Sequence, residues 1–179
     1  KSNRYRFYVD QHKDDLLFVT EKGEILKSSI NELLNNKEEI NTIELKTNNL
    51  IGVEESELRI LDSLVIENKL YLSKTSLKNN CKTLSIIYSE ISDEINFKTF
   101  KEFNECEKIG IDAGRIQEYN FNSKKGILLS ATDSDKDTPD DNAQDDNSIF
   151  GKIIFINLED GAHEIFSKGH RHPQGLAVK

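Results

Sequence analysis

Apolar residues along this chain gather in short runs, and turn-forming residues separate the runs. DDLLFVTEKGEILKSS (Asp14 to Ser29) is one run, a Lys-Gly step and a second run. That is the pattern of a β-hairpin with Gly23 supplying the turn. ENKLYLSKTS (Glu67 to Ser76) repeats it with Asn68 as the turn residue, and FNSKKGILLSATDS (Phe121 to Ser134) does so with Gly126 in the turn. These segments lie roughly 55 residues apart, and a period of about 40–55 residues with about four short strands per unit predicts the blades of a β-propeller.

The second unit, about residues 58–104, holds ILDSLVI, KLYLSKT, TLSIIYSEI and FKTFKEF. The third, about 112–169, holds GRIQEYNF, GILLSAT, GKIIFINL and HEIFSKG. The first, about 5–50, is less regular: RFYVD, DLLFVT, GEILKSS and NTIELKT, with INELLNNKEE before the last as one helical turn or a loop. Residues 170–179, ending in LAVK, read as the start of a fourth unit. A β-sandwich also spaces its strands every 8–12 residues or so, but it need not repeat over the longer period. The expected fold is all-β, a β-propeller of which this chain forms about three four-stranded blades. A ring needs at least about four blades to close, so the missing C-terminal blades are an expected partner and the chain reads as a fragment.

Length and composition narrow the classes. The 179 residues suggest one domain, and 36% hydrophobic against 31% charged residues permit a modest core. A net charge of −8 repels phosphate backbones and argues against nucleic-acid partners. No apolar run approaches the ~18 residues of a membrane-spanning helix. The chain has no Met and opens on Lys1, as a processed form or a fragment does. Cys81 and Cys106 form no CxxC motif, which argues against zinc. They stand as two buried thiols or as one disulfide. A disulfide would close a loop of about 25 residues, worth about 3 kcal/mol in the chain-entropy account, and would suit a periplasmic or secreted protein.

Two stretches carry candidate chemistry. The first is GHRHPQG, Gly169 to Gly175. Arg171 offers forked donors for an anion or a structural tie between blades. His172 is a ligand contact or a loop residue, His170 packs beneath the turn, and Pro173 and Gly175 supply turn chemistry. The second is DSDKDTPDDNAQDDNS, Asp133 to Ser148, with seven aspartates within 14 residues. Their mutual repulsion would be relieved by a hard cation. Asp133, Asp135 and Asp137 match the first positions of a calcium loop, although Thr138 stands where Gly is needed and Gln144 where a bidentate Glu is needed. The alternative is a solvated acidic loop. His12 and His163 are expected to be structural.

GKIIFINLEDG followed by GHRHPQGLAV resembles the soluble quinoprotein glucose/sorbosone dehydrogenases, also called aldose sugar dehydrogenases. That family carries a GK-[IV]-L-R-[IL]-N strand and then GHRNPQGLA. Gly151, Lys152, Asn157, Gly169, His170, Arg171, Pro173, Gln174 and Gly175 fit the pattern. AQDDNSIFGK (Ala143 to Lys152) is similar to the family's AQDLNSLLGK, LLFVTEKGEIL (Leu16 to Leu26) to its LLVTERxGRL hairpin, and AGRI (Ala113 to Ile116) to the tail of HNGGRI. The resemblance covers about the first half of the family's propeller. It implies a six-bladed ring with pyrroloquinoline quinone and calcium on its top face, and the acidic loop near that face. Sugar C1 would be oxidised by hydride transfer to the quinone, assisted by a histidine base, with a separate electron acceptor. Arg171 and His172 would bind the cofactor.

The chain also departs from that pattern. The position of the family's base is Ile111, which accepts no proton. Asp112 is adjacent but one residue off, and on a strand would point to the other face. The Asn of GHRNPQG is His172 here, a titratable ring in place of an amide. A family glutamine falls near Glu57. Two expectations follow: a quinone-dependent sugar oxidoreductase, or a non-catalytic propeller module that recognises a ligand or a protein.

Overall fold

A computed structural model describes residues 6–35, 41–48, 59–107, 111, 113–133 and 142–178. Glu57, Asp112, Asp135 and Asp137 lie outside the described residues. The chain is all-β. Among the described residues three antiparallel four-stranded sheets each follow chain order, as a meander does. Sheet one comprises β1 (Phe7–His12), β2 (Asp15–Thr20), β3 (Ile25–Ser29) and β4 (Ile43–Glu44). After β3 the insert forms a short helix, α1 (Ile30–Asn35). β5 (Lys46–Asn48) follows β4. Sheet two comprises β6 (Arg59–Ile66), β7 (Lys69–Lys78), β8 (Cys81–Glu90) and β10 (Lys98–Glu107), with β9 (Glu94–Asn96) before its last strand. Sheet three comprises β11 (Ile116–Phe121), β12 (Lys124–Ala131), β13 (Lys152–Asn157) and β14 (His163–Lys168).

The predicted strand NTIELKT divides. Its first part, β4, edges sheet one, while β5 pairs in parallel with β9. Leu45, between them, is buried, and its N–H donates to the Ile25 carbonyl at 2.9 Å. Burying this leucine turns the chain from one sheet toward the next.

A second expectation is corrected at Gly126. The β11–β12 turn is Asn122–Ser123, two residues at positive φ, and Gly126 lies inside β12. A side chain at Gly126 would run into the ring of Phe155. The glycine is there for close packing, not for the turn.

Sheet two is buried on both faces. Toward sheet one, Leu17, Val19 and Ile25 meet Ile60, Leu70, Leu72 and Ile87. Toward sheet three, Leu61, Tyr71, Leu84 and Ile86 meet Ile116, Ile127, Leu129, Ile154 and Ile156. Alternation along β7 and β8 sends successive side chains to opposite faces, which is why these strands read as nearly continuous apolar runs. The first strands lie side by side, β6 against both β1 and β11.

The outer faces of sheets one and three are apolar as well. Register places Phe7, Val9, Leu16, Phe18 and Leu26 on the face of sheet one turned away from sheet two. Phe7 is 62% exposed and Val9 48%. On sheet three the equivalent face carries Tyr119, Phe121, Leu128, Phe155 and Phe166, whose rings contact one another at centroid distances of 5.3–5.5 Å. Cys81 and Cys106 form a disulfide joining β8 to β10. No helix among the described residues is long and apolar enough to cross a membrane.

Candidate functional site

The GHRHPQG segment leaves the end of β14 and continues without a strand to residue 178. Three backbone bonds hold its start. Gly169 N–H donates to the Ala143 carbonyl and His170 N–H to the Gly151 carbonyl, each at 2.9 Å. Asp133 N–H donates to the Arg171 carbonyl at 3.1 Å. Gly169 takes the positive φ of 87° that starts this turn. His170 is structural, its Nε2 lying 2.7 Å from Ser167 Oγ. Arg171 and His172 are exposed. Gln174 is tied further along: Arg115 Nε donates to its carbonyl at 3.2 Å.

Against the start of the segment lie the described ends of the acidic loop, Asp133 and residues 142–148, between β12 and β13. Asp133 is buried, and its Oδ2 accepts the Ala143 N–H at 3.2 Å. Asp133 Oδ1 is buried with no hydrogen-bond partner. Lys152 is completely buried, the largest side chain so enclosed. Its Nζ donates to the Asn142 carbonyl at 2.5 Å and to the Phe150 carbonyl at 3.0 Å. Burial lowers the Lys152 pKa, while Asp145, Asp146, Asp133 and Glu105 oppose that shift. The Lys152 amino group thus lies against the described part of the loop, bonded to two of its carbonyls. Glu105 accepts the Ile149 N–H, and Lys168 pairs with Asp146 at 2.7 Å.

Of the three aspartates expected to bind a cation, Asp133 alone falls among the described residues. Its unpartnered oxygen is the one feature there that suits a cation. Among the described residues no group of three His, Cys, Asp or Glu side chains is arranged to hold a metal. Ile111 is 2% exposed and packs in the core between sheets two and three. His12 is buried, with Nε2 at 2.9 Å from Asn68 Oδ1, and His163 stacks edge-on against Phe103.

Sequence reasoning missed a polar cluster on the first strands. Asp62 Oδ2 accepts the Ile116 N–H at 2.9 Å, and Asp62 Oδ1 accepts from Arg115 Nη1 at 3.3 Å. Asp10 accepts a hydrogen bond from Ser63 Oγ. Burial raises the pKa of both Asp62 and Asp10. The Asp62-Ser63 pair inside the otherwise apolar run ILDSLVI was the available signal.

At the opposite end of the sheets a cleft of about 380 Å³ lies between the turns, with Ile66, Tyr71 and Leu158 among its walls and Glu67, Lys69 and Lys125 among its polar groups.

No known protein family and no curated protein matches the chain.

Proposed function

We propose that the three sheets are consecutive blades of a β-propeller of the glucose/sorbosone dehydrogenase type. Three meanders in chain order, with first strands side by side, support that reading. So do the apolar outer faces of sheets one and three, which further blades of the same ring would cover. The disulfide accords with a periplasmic or secreted setting.

At the GHRHPQG end the proposed activity is binding of an acidic quinone, pyrroloquinoline quinone by resemblance. The carrying observation is an exposed Arg171 and an exposed His172 on a segment anchored by three backbone bonds. Arg171 would meet the cofactor's carboxylates with forked donors, and His172 would add a second polar contact. The quinone, when bound, supplies a hydride acceptor, and a sugar oxidised at C1 is the proposed substrate. Asp133, whose Oδ1 has no hydrogen-bond partner, is the described residue that would contribute to a calcium site beside the quinone.

A second reading is a non-catalytic recognition propeller. The buried Ile111 favours it, because the position where the resemblance places the base holds a side chain enclosed in the core. Titration with pyrroloquinoline quinone and calcium, followed by absorbance and thermal shift, decides between the readings. Saturable binding lost in Arg171→Ala supports the quinone site, and bleaching by sugar adds catalysis. No binding at high micromolar quinone leaves the recognition module.

A further inference from the structure

Arg115 contacts residues of β1, β6, β12 and the GHRHPQG segment. Its backbone is locked first. Gly114, at φ 120°, approaches Leu61 so closely that a side chain there would collide with it. Arg115 N–H donates to Ser130 Oγ at 3.0 Å, and the Arg115 carbonyl accepts the Ser130 N–H at 2.9 Å. The guanidinium then reaches four neighbours. Nη1 donates to the Leu61 carbonyl at 3.2 Å and to Asp62 Oδ1 at 3.3 Å. The cation lies 5.3 Å from the ring centre of Tyr8, whose hydroxyl donates to the Ile60 carbonyl at 3.2 Å. Nε reaches the Gln174 carbonyl.

We infer that Arg115 is the positioning residue of the GHRHPQG segment, holding Arg171 and His172 in place through Gln174, with Asp62 and Tyr8 aligning its guanidinium. The inference deepens the quinone-site reading and rests on it for the ligand. Beyond Arg171, the hydrogen bond from Arg115 is the one tie that the segment makes among the described residues. Without it the second half of the segment is held at one end, and the backbone from His172 onward is released on the far side of the Arg171 anchor. The planar fork is what the arrangement uses: Nε and Nη1 point to different carbonyls at once, which a lysine ammonium on a flexible stem does not reproduce.

The test is backbone ¹⁵N relaxation on the full chain, wild type against Arg115→Lys and Asp62→Asn, with the unfolding midpoint and the quinone Kd measured on the same samples. Wild-type Gln174 and Gly175 should have order parameters near those of the strands, about 0.85, falling below about 0.6 in Arg115→Lys. Residues of β12 and β13 should not change. Asp62→Asn, which keeps an acceptor for Arg115, should give a smaller fall. The quinone Kd should weaken about tenfold in Arg115→Lys at a temperature where both proteins stay folded, whatever fall in the midpoint follows from the lost bonds to Leu61 and Asp62. Order parameters at Gln174 and Gly175 that are unchanged in Arg115→Lys, or already low in the wild type, overturn the inference. A lower unfolding midpoint with the segment still ordered overturns it as well, since Arg115 is then a stabilising residue only. If wild-type protein binds no quinone, the functional reading fails, and the relaxation data still decide the role of Arg115.

Discussion

Lys125 and Lys152 sit at opposite ends of the same sheet. At the end formed by the Glu67–Asn68 and Asn122–Ser123 turns, Lys125 pairs with Glu67 at 3.0 Å and Glu118 at 3.1 Å. Those pairs lower the Glu67 pKa and raise that of Lys125, the hydrogen bond between them being the largest cause. Yet all three side chains are substantially in water. At the GHRHPQG end Lys152 is wholly enclosed, and its Nζ is spent on two backbone carbonyls of the acidic loop. The same residue type is an interchangeable surface charge in one place and a buried donor to loop carbonyls in the other. Solvent access makes the difference: water screens the exposed pairs and replaces them when they break, whereas a buried acceptor that loses its donor is left unsatisfied. Geometric closeness of charges is a poor guide to which matters.

The largest effect is expected at Lys152. Lys152→Met keeps most of the length of the side chain and removes its donor group, so the Asn142 and Phe150 carbonyls both lose their partner. Each orphaned buried acceptor costs about 1–3 kcal/mol. Urea unfolding should show that loss, and amide exchange should quicken at Gly169, whose N–H bonds Ala143 in the same loop. An unchanged midpoint would mean that water serves the two carbonyls equally well.

Asp10, inside β1, should give a smaller effect that depends on pH. Burial raises its pKa above 3.8, against the opposing hydrogen bonds of Ser63 and Val65. A carboxyl with a raised folded pKa stabilises the folded state most when protonated. Its contribution is present below 3.8 and is lost as pH rises through the higher folded value. Wild-type stability should therefore fall relative to Asp10→Asn as pH rises through that window, read as the difference between two urea series. A constant difference would remove Asp10 from the account.

The smallest effect is expected at Lys125. Lys125→Met should leave the unfolding midpoint within experimental error, at low and at physiological salt alike. A clear drop that salt abolishes would show the exposed end to be more than a solvated surface.

The second and third strand sets were legible in the sequence because their apolar runs are separated by strong turn signals, and because each set repeats the one before. The disulfide was one of two open choices, and the all-β class followed from the runs alone. NTIELKT misled because its alternation is that of one strand, while burial of Leu45 divides it between two partners. Gly126 misled because a glycine beside two lysines looks like a turn, and the ring that requires it comes from Phe155, far along the chain. GHRHPQG was legible as a motif, but its anchors at Ala143, Gly151, Asp133 and Arg115 were not.

Strand content, hairpin spacing and the acidic character of the chain were settled locally, by the order of residues. Periodicity and turn chemistry act over a few residues, so they can be read in one dimension. Tertiary structure alone decided that Lys152 is buried, that Asp133 has an oxygen without a partner, and that Arg115 joins Tyr8, Asp62 and Gln174. Burial and hydrogen bonding depend on which distant segments come together, and a charged residue reads the same in a linear chain whether it will face water or two carbonyls.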